Sequence, residues 1–256
     1  MKDHASKFKG LIWLAAACAC GIFFAVGIAP LAHVIPWSWE KRLGNAVQLD
    51  LNGKDCRYNS QADALLQRLV SRLYPIDPGD KDFSIEVKMV KSPVVNAYAS
   101  LGGKIMLNSG LVSKAESPEE IAGVLAHEIE HVHHRHIMEG ALVHLFTAEG
   151  INVIFGSGTS ASSFAKYFLN MDFTRSQETQ ADEEGLRRLQ KAHVDNQGFR
   201  RFFERMEKEE SSSVFLSDHP SSRSRAEMTE KFKNQDPQPI MTEAEWKVLK
   251  SYCGEK

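Results

Sequence analysis

The sequence has no run of lysine and arginine interleaved with aromatics, and 31 basic against 33 acidic residues leave a formal net charge of −2. Neutralising a phosphate backbone needs clustered cations, so nucleic acid is excluded as a partner. Internal repeats are absent. Cysteine is scarce, with four in 256 residues, and Cys18 and Cys20 fall in an apolar run. Only one pairing is then open to the rest of the chain, Cys56 with Cys253; a disulfide and two unpaired thiols both fit. What is present is ordinary for a globular chain, 43% hydrophobic and 25% charged, enough for one compact domain and an appendage.

The appendage lies at the N-terminus. A polar leader with Lys2, Lys7 and Lys9 precedes "LIWLAAACACGIFFAVGIA", Leu11 to Ala29, which carries no charge. Such a helix is about 28 Å long, close to a bilayer's hydrocarbon thickness. Pro30, Pro36, Trp37 and Trp39 follow, the tryptophans where interfacial aromatics sit. The expected division is 1–10 leader, 11–36 single-pass membrane anchor contacting lipid, and 37–256 catalytic domain outside the cytoplasm. The alternative is a cleaved signal peptide and a domain secreted to the periplasm, although no A-x-A site follows the run.

The domain reads as α+β, mainly helical with a small three-stranded sheet. "NSQADALLQRLVSRLY" puts Ala62, Leu65, Leu66, Leu69, Val70 and Leu73 on one helical face, capped by Asn59 or Ser60. Phe83, Ile85, Val87 and Met89 alternate with polar residues, a half-buried strand. "VVNAYAS" and "KIMLNSGLV" flank Gly102-Gly103 as a hairpin. "SPEE", Ser117 to Glu120, reads as a capping box with Pro118 at the first helical position. It opens one helix through "EEIAGVLAHEIEHVHHRHIMEGAL". An apolar stretch from Leu142 to Gly156 reads as a buried or interfacial helix. Two further helices, a serine-rich loop and two capped helices complete the chain, one of them opened by Thr242–Glu245.

Five of the ten histidines fall between Ala126 and His136, in "AHEIEHVHHRH". Residues i and i+4 of an α-helix are about 40° and about 6 Å apart, so His127 and His131 converge on one ion. On a continuous helix His133 and His136 point to the opposite side, and His134 is a turn too far. Glu128 stands beside the ion, as suits a base taking a proton from a water that the ion activates. This is the H-E-x-x-H arrangement of zinc peptidases. A metzincin third ligand is excluded, because Ile137 stands where its histidine would be. "ETQAD" offers Glu178 as the third ligand. Asp182, four residues on, would accept the outer N–H of a ligand histidine. Otherwise both are solvated helix charges.

"HEIEHVHHRH", then "ETQAD", preceded by "NAYASLGGKIMLNSGLV" and followed by "SDHPSSRSR", resembles the gluzincin metallopeptidases typified by HtpX, BepA and LoiP, relatives of the CAAX prenyl proteases. The resemblance covers roughly Val94 to Arg225 and departs from the family where Glu130 replaces a glycine. It implies one zinc ion per chain and a gluzincin domain. It implies a substrate-binding strand at Asn96, Ala97, Tyr98 and Ala99. It also implies His219 and Arg225 near the ion, His219 either stabilising the oxyanion or occupying the open metal position of a latent enzyme. The implied function is cleavage of misfolded or misassembled membrane and envelope polypeptides. The rival is a non-catalytic, zinc-stabilised chaperone that holds unfolded clients.

Overall fold

The computed structural model describes residues 27–46, 54–56, 59–75, 83–145, 171–208 and 225–253. Residues 11–26 of the expected anchor lie outside these, as does most of the Leu142–Gly156 stretch. Among the described residues no helix is long and apolar enough to cross a membrane. Residues 27–36, expected to end the anchor, instead form a 3₁₀ turn, Ala29–Val34, followed by α1, Trp37–Ala46. Two prolines cause the change. Pro30 sits at the start of the turn, and Pro36 forces Ile35 into an extended conformation.

The sheet has four strands rather than three. β1 (Lys54–Asp55), β2 (Glu86–Lys91), β3 (Ala97–Ser100) and β4 (Lys104–Asn108) lie in the order β1-β2-β4-β3. β2 runs parallel to β4, while β3 and β4 form the expected hairpin, Ala97 opposite Leu107. Gly102 and Gly103 turn it with φ of 76° and 79°, conformations that side chains with a Cβ avoid. The extra strand is two residues long, too short to leave an alternating pattern.

α2 (Ser60–Leu73) is capped by Asn59, whose side chain accepts from Gln61 and Ala62 N–H. It buries the six residues its periodicity marks; each Leu or Val removed from water there contributes about 1.5–3 kcal/mol. A short helix, α3 (Ser109–Lys114), leads to α4 (Pro118–His133), the centre of the molecule. Every residue of α4 from Glu120 to Val132 is buried. α4 is covered by β3, by α2, by α6 (Arg175–Lys191) and by α7 (Gln197–Lys208). The approach to α7 is close: a Cβ added to Gly123 would stand 2.8 Å from the Phe199 Cα.

Two local expectations yield to tertiary contacts. Ser117 does cap α4 and Pro118 does begin it, but no side-chain cap bond forms. Glu120 is occupied elsewhere, accepting from Glu116 N–H at 2.9 Å and from the Arg205 guanidinium of α7. The long helix, moreover, is two helices. It breaks at His134–Arg135, where Arg135 has φ of 63°, and resumes as α5, His136–Leu145. The Arg135 guanidinium donates to Ile35 O at 2.6 Å, pairs with Glu40 at 3.1 Å and lies over the Trp37 ring. Glu40 is buried, which pushes its carboxyl pKa up against the lowering effect of Arg135, and it accepts from Gly102 N–H. Trp37 therefore packs inward against Phe83, with ring centroids 4.5 Å apart, and only Trp39 keeps the outward position expected of an interfacial aromatic.

The last described helices are α8 (Arg225–Lys231) and α9 (Glu243–Lys250), the latter with the expected Thr242–Glu245 box. Beyond α9, Cys253 is disulfide-bonded to Cys56, with Cα atoms 5.0 Å apart. The bond closes a loop of 197 residues, so Cys253→Ser should cost about 2–5 kcal/mol. Urea unfolding of both proteins under non-reducing conditions measures this, and coincident midpoints would exclude a stabilising bridge.

Candidate metal centre

α4 presents His127 and His131 from consecutive turns, both fully buried, and α6 brings Glu178 against them. The two Nε2 atoms are 3.0 Å apart. Glu178 Oε1 lies 3.2 Å from His131 Nε2, and Oε2 lies 3.5 Å from His127 Nε2. Donors around a tetrahedral ion with bonds of about 2.0–2.1 Å are about 3.3 Å apart, so the three groups have the spacing of a zinc ligand set. Among the described residues this is the group of three His, Cys, Asp or Glu side chains that could hold a metal ion. The donor chemistry agrees. Asp182 Oδ1 lies 3.0 Å from His127 Nδ1, so its charge holds the ring proton there and leaves the Nε2 lone pair for a cation.

Arg225, at the start of α8, braces both carboxylates. Its Nε donates to Asp182 Oδ2 at 2.6 Å, and its Nη2 lies 3.5 Å from Glu178 Oε2. The guanidinium also rests on the Phe203 ring, 3.9 Å from the centroid. Phe199 and Phe203 flank His127, and Phe173 lies 3.9 Å from the His131 ring by centroids. Glu128 follows His127 on α4 and is fully buried. The ligand set, Asp182 and Arg225 are all buried, the setting in which charge interactions are strongest.

The substrate strand expected at Asn96–Ala99 coincides with the start of β3, the last strand in the sheet order, which packs against α4. Asn96 and Ala97 are buried, and Asn96 O accepts from Asn108 N–H at 3.1 Å. Burial pushes the Tyr98 phenol up to about 12, keeping it protonated. His219 lies outside the described residues.

One residue assigned to the far side of the helix is found beside the centre. Because the helix breaks before it, His136 swings back so that its Nδ1 meets His131 Nδ1 at 3.1 Å. Burial draws its pKa down to about 4, so the ring is neutral near pH 7. A helical wheel, which assumes an unbroken helix, misses this; the one signal in the sequence is that Arg135-His136 also resembles the family. A second omission is Arg188 of α6, which pairs with Glu130 of α4 and lies over the Tyr74 ring. The departure from the family glycine at Glu130 thus supplies half of an ion pair tying the two ligand helices together.

Comparison with known proteins places this centre in context. Residues 60–232 match the model of Peptidase family M48. A mitochondrial metalloendopeptidase OMA1 from Arabidopsis thaliana is 32% identical over 149 residues, 57% of this chain and 31% of the plant protein. The OMA1 of Schizosaccharomyces pombe is 28% identical over 178 residues, 65% of this chain and 52% of its own. A beta-barrel assembly-enhancing protease from Yersinia pestis is 29% identical over 135 residues, 46% of this chain and 27% of its own. The chain thus matches at most about half the length of these relatives. Kinship with BepA is borne out at the level of the family, while OMA1 proteins match at similar identity, so no narrower group is singled out. The family match takes in both ligand helices whole, and the chain belongs to Peptidase family M48.

Proposed function

We propose that this chain is a membrane-tethered zinc endopeptidase that cleaves unfolded or misassembled polypeptides. The observation that carries the reading is the buried His127–His131–Glu178 set, with Glu128 following His127 in the same buried helix. A divalent ion held there supplies Lewis-acid activation of a water and of the scissile carbonyl. The chain's own groups do the rest. Glu128 takes the proton of the attacking water and passes it to the leaving amine. Asp182 fixes the tautomer of His127, and Arg225 holds Asp182 and Glu178 in place by charge. An extended peptide adds to β3 as another strand, its scissile bond carried along α4, with Asn96, Ala97, Tyr98 and Ala99 in contact with it. His219 stabilises the oxyanion or, in a latent form, closes the metal site.

The tether is the uncharged run beginning at Leu11; the lysines of the short leader before it support a domain outside the cytoplasm. Relatives whose names refer to β-barrel assembly support clients among membrane and envelope proteins. Incubating the full chain with an unfolded substrate such as casein, with and without a chelator, tests the reading. Cleavage is expected, lost on chelation and restored by zinc. Binding without cleavage in the zinc-loaded protein would refute hydrolysis in favour of a chaperone.

A further inference from the structure

The two imidazoles facing Glu178 are supported differently. His127 turns its outer nitrogen to Asp182, which Arg225 neutralises in part. The outer nitrogen of His131 meets another imidazole, and beyond it lies a chain of polar groups. His136 Nδ1 is 3.1 Å from His131 Nδ1, and His136 Nε2 is 3.2 Å from Gln180 Oε1. Gln180 Nε2 is 3.1 Å from His134 Nδ1, and His134 Nε2 lies 3.4 Å from Glu130 Oε2, whose carboxylate pairs with Arg188.

Proton counting gives this chain one direction. If His131 binds a cation through Nε2, its single proton is on Nδ1 and donates to His136 Nδ1. His136 must then carry its own proton on Nε2, where the Gln180 carbonyl accepts it. The Gln180 amide donates in turn to His134 Nδ1, leaving the His134 proton on the side facing Glu130. Each of the three hydrogen bonds has one donor and one acceptor, and beyond the last of them lies a carboxylate. His136 is thus a proton acceptor of fixed tautomer, aimed at a metal ligand from behind.

We propose that His136 is a positioning residue for the metal centre: it accepts the Nδ1 proton of His131, fixes that ring's tautomer and angle, and is itself oriented by Gln180. The inference rests on the metal reading above and extends it to a residue that touches neither ion nor substrate. It also gives the helix break a purpose. On an unbroken α4 His136 would face away; the left-handed Arg135, clamped by Ile35 and Glu40, returns it to His131. Partners behind ligand histidines typically change metal affinity about 10–100-fold.

The experiment is a zinc competition titration of the full chain against a chromophoric chelator. His136→Leu, which fills the space without an acceptor, should weaken zinc binding about 10–100-fold. His136→Asn, whose amide oxygen can stand where Nδ1 stood, should stay within about threefold of wild type if the acceptor is what matters. A merely structural histidine would give equal affinities for the two variants, or wild-type affinity for both, and either result overturns the proposal. If His136→Leu does not fold, Gln180→Leu replaces it. That variant should bind zinc several-fold more weakly, and unchanged affinity overturns the proposal. Glu178→Ala is the control: wild-type zinc affinity there would mean that the metal reading, rather than the role of His136, has failed.

Discussion

Glu128→Gln should lose peptide hydrolysis by about 10²–10⁴-fold while holding as much zinc as the wild-type protein, because the change removes a proton acceptor and little else. Glutamine has the shape of glutamate and occupies the same fully buried position beside His127. His127, His131 and Glu178 are untouched, so the ligand set keeps its spacing. What disappears is a carboxyl able to take up a proton; Glu130, the α4 carboxylate beside His131, already pairs with Arg188 on α6. Casein cleavage at saturating zinc, with metal content measured on the same preparation, separates the two effects. Activity within tenfold of wild type would remove Glu128 from the reaction. Loss of zinc together with activity would instead make it part of the ligand set.

The parts of this site that could be read in the sequence are those whose geometry is local. His127 and His131 lie four apart on a helix, as do Glu178 and Asp182, and a continuous helix fixes each pair without reference to anything else. The face of α2 was legible for the same reason, since an amphipathic period survives whatever packs on it. Gly102-Gly103 between two apolar segments likewise marked the hairpin. Features settled by distant residues were not legible. The Ser117–Glu120 box follows local rules, but Glu120 lies within reach of Arg205 on α7 and pairs with it instead, so the cap bond is not made. The break at Arg135 has no glycine or proline to announce it. It is imposed by Glu40, Trp37 and Ile35, about 100 residues earlier in the chain. From that one unforeseen turn follows the placement of His136, and with it the outer half of the support for His131. Cys56 and Cys253 could be read only as a possible pair, because nothing local brings positions 197 residues apart together.

Glu178→Ala is expected to release the metal outright and, with it, the part of the protein's stability that depends on metal. Glu178 is buried between His127 and His131 and is the one ligand from α6, so an ion bound there joins α6 to α4. Removing its carboxylate leaves only two imidazoles for a cation, and Arg225, 3.5 Å from that carboxylate, keeps Asp182 but loses its second acidic neighbour. Both effects disfavour a divalent ion. Zinc affinity should therefore fall by more than about 100-fold, the upper range for losing a partner behind a ligand. Thermal unfolding provides a second readout. Free zinc at about 100 times its dissociation constant stabilises a folded site by about 2.7 kcal/mol. For a domain of this size that corresponds to roughly 5–10 °C in melting temperature. Wild-type protein should show that rise when zinc is restored after chelation, and Glu178→Ala should melt at one temperature with or without the ion. Asp182→Ala, which leaves all three ligands in place, should retain a smaller zinc-dependent rise. If Glu178→Ala kept full zinc stoichiometry and the wild-type shift, α6 would contribute no ligand and the centre would have to be closed by another group.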